Sequence, residues 1–274
     1  MLDERAGAGP SEKSAASRQG CSTCIDLSRY GPLVTIIDVD DCATWTANLE
    51  RVVQSVAHRY EGSGSTSSDL WLTDDDRATI LAALDGVSIR VFHASRLLPF
   101  ELDEIRREGL EPASQELFAG KVAGAVAHGL LSPAEGTELL RSAEPLDGSD
   151  GAARVAQVCV SAGTAVYRDA PHAVRPLLQS WGGEVLYFAH EQDGLGKRLH
   201  ELGTPTIIEV SLPSVRAQDL WFPDVEQCLV GTVLGFSDVG SDVFIRGSAV
   251  PPEDILAVHQ PGGEWWRQFS KLPT

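Results

Sequence analysis

No apolar run in this chain reaches the ~18–20 residues a membrane-crossing helix needs, so no membrane span is expected. Basic residues are also scarce. There are 22 Lys and Arg against 39 Asp and Glu, and the formal charge of −17 repels phosphate backbones and anionic lipid at long range. Generic binding to nucleic acid or to a membrane surface is therefore not expected. Cysteine is sparse and odd in number at five. A chain this long needs no disulfide staples, and the odd count suits a reducing compartment. The opening MLDERAGAGPSEK is acidic and polar where a secretory signal would be basic and then apolar, so a cytoplasmic protein is expected.

The common signatures of hydrolases and nucleotide folds are missing too. There is no GxSxG elbow, no Walker loop, no HExxH and no GxGxxG after a strand. Gly194-Leu195-Gly196-Lys197 lacks both the spacing of a phosphate loop and the Ser or Thr that would meet magnesium. His190-Glu191 and His200 fit no common metal spacing. Cys21 and Cys24 form a CxxC, but Cys42, Cys159 and Cys228 stand singly, so a four-ligand zinc knuckle is not assembled and no metal is expected. Arg106, Arg107, Lys197 and Arg198 could form a local basic site, although solvated helix faces explain them more simply.

What the chain does have is a globular composition, 43% hydrophobic and 22% charged over 274 residues, enough for one or two domains. Residues 1–30 are rich in Gly, Ser and Ala without apolar periodicity and read as a flexible tail. Residues 31–87 read as a small α/β section. It holds a strand in LVTIIDV and a helix with Trp45, Leu49, Val52, Val53 and Val56 on one face. A second helix opens on a capping box at Thr73 and Asp76. SIRVFHAS, residues 88–95, reads as a core strand, followed by a short helix that starts at Pro99 and stops at Gly109.

Residues 114–143 are helical in pattern, with a capping box at Ser132 and Glu135. AARVAQVCVSAG is ambiguous between helix and strand. Pro171 opens a helix that Gly182-Gly183 stop, with Trp181 in the core; Glu184 follows as a second candidate, at the rim of a ligand cleft. The remainder is strand-rich: EVLYFA (184–189), a helix around GLGKRLHELG, then PTIIEVSLP, LVGTVLGF, DVFIRG and ILAVHQ. With no regular βα alternation and no repeat, an α+β fold on a mixed or antiparallel sheet is expected. Trp265 and Trp266 read as packing.

Three segments carry more than fold. Phe92-His93-Ala94-Ser95 is followed by Glu104-Ile105 and Gly109-Leu110; Leu186-Tyr187-Phe188-Ala189 comes second; Asp242-Val243-Phe244-Ile245, then Val250-Pro251-Pro252-Glu253-Asp254-Ile255, come third. In this order they resemble the ADP-ribosyltransferase superfamily, within it the His-Tyr-Glu branch of poly(ADP-ribose) polymerases and diphtheria-type toxins. The likeness spans roughly residues 88–260. It implies an ADP-ribosyltransferase-like split β-sheet core in a domain of residues 88–274, interrupted by a helical insertion at about 112–182.

The resemblance also implies NAD as substrate. His93 would bond the adenosine ribose, and Ala94 and Ser95 would lie beside the nicotinamide end. Tyr187 would stack on the ring, and Asp242 or Glu253 would supply the catalytic carboxylate. Breaking the nicotinamide–ribose bond builds positive charge on the sugar, which a nearby carboxylate stabilises. The expected activity is mono-ADP-ribosylation of a macromolecule by a toxin or defence effector. The acidic balance favours a protein acceptor over nucleic acid, and a cognate inhibitor is a candidate partner. An alternative class is a degenerate transferase fold that binds a nucleotide or partner without turnover.

Overall fold

The computed structural model describes residues 35–62, 69–142, 155–183, 190, 194–221, 224–236, 239–240, 243–269 and 271–273. Residues 32–274 form one unit. The expected tail, the Cys21 and Cys24 pair, the EVLYFA segment with Tyr187, and Asp242 lie outside the described residues.

The chain is mixed α+β and is built on two sheets. The first has four strands in the order β1 (Thr35–Ile37), β2 (Val87–Leu97), β4 (Thr204–Pro213) and β7 (Ile255–His259). β1 runs parallel to β2, and the other pairs are antiparallel. The second sheet has the order β3 (Gln157–Val160), β6 (Val243–Arg246) and β5 (Leu220–Trp221), all antiparallel. β1 therefore ties the small α/β section into the main sheet, and its described residues from Ile37 to Val87 contribute to the same core.

Helix α1 (Ala47–Ala57) is capped by the Thr46 hydroxyl and buries Leu49, Val53 and Val56. The Thr73 hydroxyl accepts from Asp76 N–H at 3.2 Å to start α2 (Asp74–Ala83), as the capping motif predicts. Both helices pack with Ile89, Val91, Ile208 and Val210 in the largest apolar cluster.

α3 (Pro99–Glu108) begins on proline, whose missing N–H costs nothing in a first turn, and ends at Gly109 with φ +91°. Only glycine suits that position. A Cβ there would lie 1.9 Å from the Val250 carbonyl oxygen. The close approach lets Leu110 and Val250 exchange both backbone hydrogen bonds at 2.8 Å. Gly109-Leu110 of the first resembling segment is thus bonded to Val250 of the third.

The expected insertion holds α4 (Gln115–Ala127), α5 (Pro133–Ser142), α6 (Ala165–Asp169) and α7 (Pro171–Gln179), but it is not wholly helical. QVCV, ambiguous in the sequence, is strand β3 and pairs with β6. α8 (Gly194–Glu201) follows, with Lys197 exposed and Arg198 paired to Glu201 at 3.1 Å; Arg106 and Arg107 pair with Asp103 and Glu108. These four cations are helix-surface residues, not a basic site.

One expected strand is corrected. LVGTVLGF lies in helix α9 (Val225–Leu234) and the turn after it. Its start is a capping box between Asp224 and Gln227, and its stop is Gly235 in the left-handed region at φ +76°. The helix packs against α1 and hides Val225, Cys228, Leu229 and Val230, which removes the polar stripe that would have marked its period. α10 (Glu264–Arg267) carries Trp265 and Trp266. Among the described residues no helix is long and apolar enough to cross a membrane.

Candidate functional site

Among the described residues one backbone bridge joins the two sheets. Phe92 on β2 and Ser161, just past β3, exchange backbone hydrogen bonds of 2.8 Å each way. β1 covers β2 only as far as Ile89, so beyond Phe92 that edge of β2 has no neighbouring strand among those described. A cavity of about 460 Å³ opens there, within the ~300–1,000 Å³ usual for small-molecule sites. Its walls come from β2, α3, α4, β3, α6 and α7.

His93, Ala94 and Ser95 all line this cavity. His93 Nδ1 lies 2.8 Å from the Cys159 carbonyl oxygen. A carbonyl can only accept, so Nδ1 carries the proton and the Nε2 lone pair is left as an acceptor. Burial pushes the imidazole down to about 4; the Cys159 bond opposes this and the nearby Lys121 charge adds to it. At neutral pH His93 is an uncharged hydrogen-bonding group.

Ala94 contributes backbone. In an extended strand, groups two residues apart point the same way, so its N–H and C=O face the side on which Phe92 bonds Ser161. Neither has a backbone partner there among the described residues. An amide-bearing ligand could engage both. The Ala94 methyl is buried in the second apolar cluster with Val174 and Leu178.

Beneath the cavity lies an arrangement that sequence reasoning missed. Glu101, the third residue of α3, is 2% exposed. Its Oε2 accepts from Leu98 N–H and from Trp181 Nε1–H, each at 2.7 Å, and its Oε1 pairs with the Lys121 ammonium at 3.1 Å. The local signal was present, since Pro99 with Glu101 forms a helix-start motif. The partners, 20 and 80 residues away, were not legible. Tyr167 was also missed. It lines the cavity, sits edge-on to Phe92 with ring centroids 5.7 Å apart, and shares a 2.8 Å hydrogen bond with Ser161 Oγ. Burial raises its phenol well above the ordinary value.

The remaining candidates divide. Tyr187 and Glu184 are outside the described residues, but Gly182 and Gly183 just before them line the cavity. Trp181 is fully buried, as expected for core. Asp242 is likewise outside; the next residue, Val243, pairs with Val160, which is a cavity wall. Glu253 is exposed on the 3₁₀ turn Pro252–Asp254 and does not line the cavity. Trp265 packs as expected, stacking on His259 at 4.5 Å.

Compared with family models, curated proteins and solved structures, the chain matches none.

Proposed function

We propose that the chain is a mono-ADP-ribosyltransferase that consumes NAD in this cavity and modifies a macromolecule, a protein in preference to nucleic acid. One observation carries the reading. His93, Ala94 and Ser95 line the same cavity as the glycines that lead into the Tyr187 segment, and the strand that follows Asp242 pairs with its wall.

The chemistry suits the groups available. The Ala94 N–H and C=O complement the carboxamide of nicotinamide, which both donates and accepts. Neutral His93 accepts from a ribose hydroxyl through Nε2. The bond between nicotinamide nitrogen and ribose C1′ breaks, the electron pair leaves with nicotinamide, and the acceptor's nucleophile bonds to C1′. A carboxylate, assigned here to Asp242, steadies the positive charge on the sugar in between.

A second reading, nucleotide binding without turnover, is favoured by the position of Glu253 away from the cavity. The two separate by experiment. Titrating the purified chain with NAD and assaying released nicotinamide should show binding and slow cleavage. Asp242→Asn should keep binding and lose cleavage by ~10²-fold or more, on the scale of a lost charge-stabilising group. Glu253→Gln should leave both unchanged. Binding without release in the unsubstituted protein selects the second reading, and absence of NAD binding overturns both.

A further inference from the structure

We propose that Asp40, which precedes the first resembling segment, is a positioning residue for the cavity. Its carboxylate fixes the turn between Ser161 and Tyr167, and through that turn the wall that a bound NAD meets. The inference rests on reading the cavity as an NAD site, and it gives the small α/β section a part in that site.

Asp40 stands on a turn that is itself pinned. Asp41 N–H closes it onto the Asp38 carbonyl at 3.3 Å, and the same carbonyl accepts from Trp45 Nε1–H at 2.7 Å. Asp38 N–H donates to the Thr44 hydroxyl at 2.8 Å, and the Val39 carbonyl accepts from the Thr232 hydroxyl of α9 at 2.5 Å. Backbone held from several sides therefore presents the carboxylate.

From there Asp40 Oδ2 accepts from Thr164 N–H at 2.9 Å and from Ala165 N–H at 2.5 Å. These donors open α6, whose start the Thr164 side chain does not cap. A carboxylate 124 residues earlier in the chain does the work of a local cap, through charge-assisted bonds. Gly163 makes room for it. Its φ is +115°, and a Cβ there would run into the Asp40 carboxylate.

The amides that Asp40 holds lie between two cavity-lining residues, Ser161 and Tyr167, whose hydroxyls share a 2.8 Å hydrogen bond. Tyr167 N–H donates to the Thr164 carbonyl at 3.1 Å, and α7 follows at once with Ala173, Val174 and Leu177 on the same cavity. The Phe92 bridge fixes Ser161, and the Gly240 carbonyl fixes Ala162 N–H at 2.8 Å. Asp40 fixes Thr164 and Ala165. Without it the start of α6 loses its tie to the frame, and the wall shifts relative to His93 on β2. A misplacement of about 1 Å at a site of this kind costs on the order of 10²-fold.

The test uses the full chain, unsubstituted and as Asp40→Ala, Asp40→Asn and Gly163→Ala. Asp40→Asn keeps an oxygen for both N–H groups and serves as the rescue. Gly163→Ala drives the carboxylate away from the opposite side, and is read in place of Asp40→Ala should that variant not fold. Hydrogen exchange without ligand, followed by mass spectrometry, should be faster across residues 161–167 in Asp40→Ala and unchanged across residues 207–212 of β4. Where urea curves show each variant folded, NAD should bind roughly tenfold or more weakly to Asp40→Ala and Gly163→Ala, and close to normally to Asp40→Asn. Unchanged exchange over 161–167 overturns the proposal. So does a loss of stability in urea with NAD affinity unaltered, the pattern of a merely structural bond. No NAD binding by the unsubstituted chain instead overturns the NAD reading, and this inference with it.

Discussion

Acid titration of stability should separate two groups, the half-buried His93 and the buried Asp38, that pull in opposite directions. His93 has an ordinary value of 6.5 and is held down to about 4 in the fold. Between those values the unfolded chain binds the proton and the folded one does not, so stability falls as pH drops. At about 1.4 kcal/mol per factor of ten, acidification from pH 7 to pH 4 costs about 3 kcal/mol through His93 alone.

Asp38 behaves in the reverse sense. Its burial outweighs the Arg90 guanidinium 3.3 Å away and, with Asp40, Asp41 and Glu209 nearby, lifts it from 3.8 to about 6. The folded state takes up this proton first, so acidification over the same range adds about 2 kcal/mol. The unsubstituted protein partly conceals both effects, and difference curves reveal them. In urea denaturation at pH 4, 5, 6 and 7, His93→Gln should gain about 3 kcal/mol on the unsubstituted protein as pH falls. Asp38→Asn should lose about 2 kcal/mol on it over the same interval. A difference that is flat with pH for His93→Gln would refute the neutral, half-buried imidazole on which the cavity chemistry depends.

Two further substitutions probe the frame around the cavity. Gly109→Ala places a Cβ 1.9 Å from the Val250 carbonyl oxygen at φ +91°, and should cost about 3 kcal/mol or more by thermal or urea unfolding. Trp181→Phe keeps the buried ring but removes one of the donors to Glu101, 2.7 Å away, and should cost about 1–3 kcal/mol. If the indole N–H is dispensable, the same unfolding curves will overlay those of the unsubstituted chain.

Much of the fold was legible because its signals are local. Thr73 with Asp76, Pro99 with Gly109, and Ser132 with Glu135 each mark a helix end within ten residues, and alternation in SIRVFHAS marks β2. α9 was misread because a helix packed on several sides loses its polar face and resembles a core strand, even with Asp224, Gln227 and Gly235 at its ends. In the candidate site, His93, Ala94 and Ser95 were legible as neighbours in one strand. Glu101, Lys121 and Tyr167 were not. Their roles come from contacts with Trp181, Glu101 and Ser161, which no periodicity encodes. The free edge beside His93 was equally hidden, since β1 is only three residues long and its end at Ile37 is what exposes the edge of β2.

The seam between Phe92 and Ser161 has a mechanical consequence. Two backbone hydrogen bonds of 2.8 Å and the His93 Nδ1 bond to the Cys159 carbonyl join β2 to β3 and its end, while each sheet keeps its own ladder. Loss of these three bonds would leave every strand pairing intact, so the aperture beside His93 can widen without breaking either ladder.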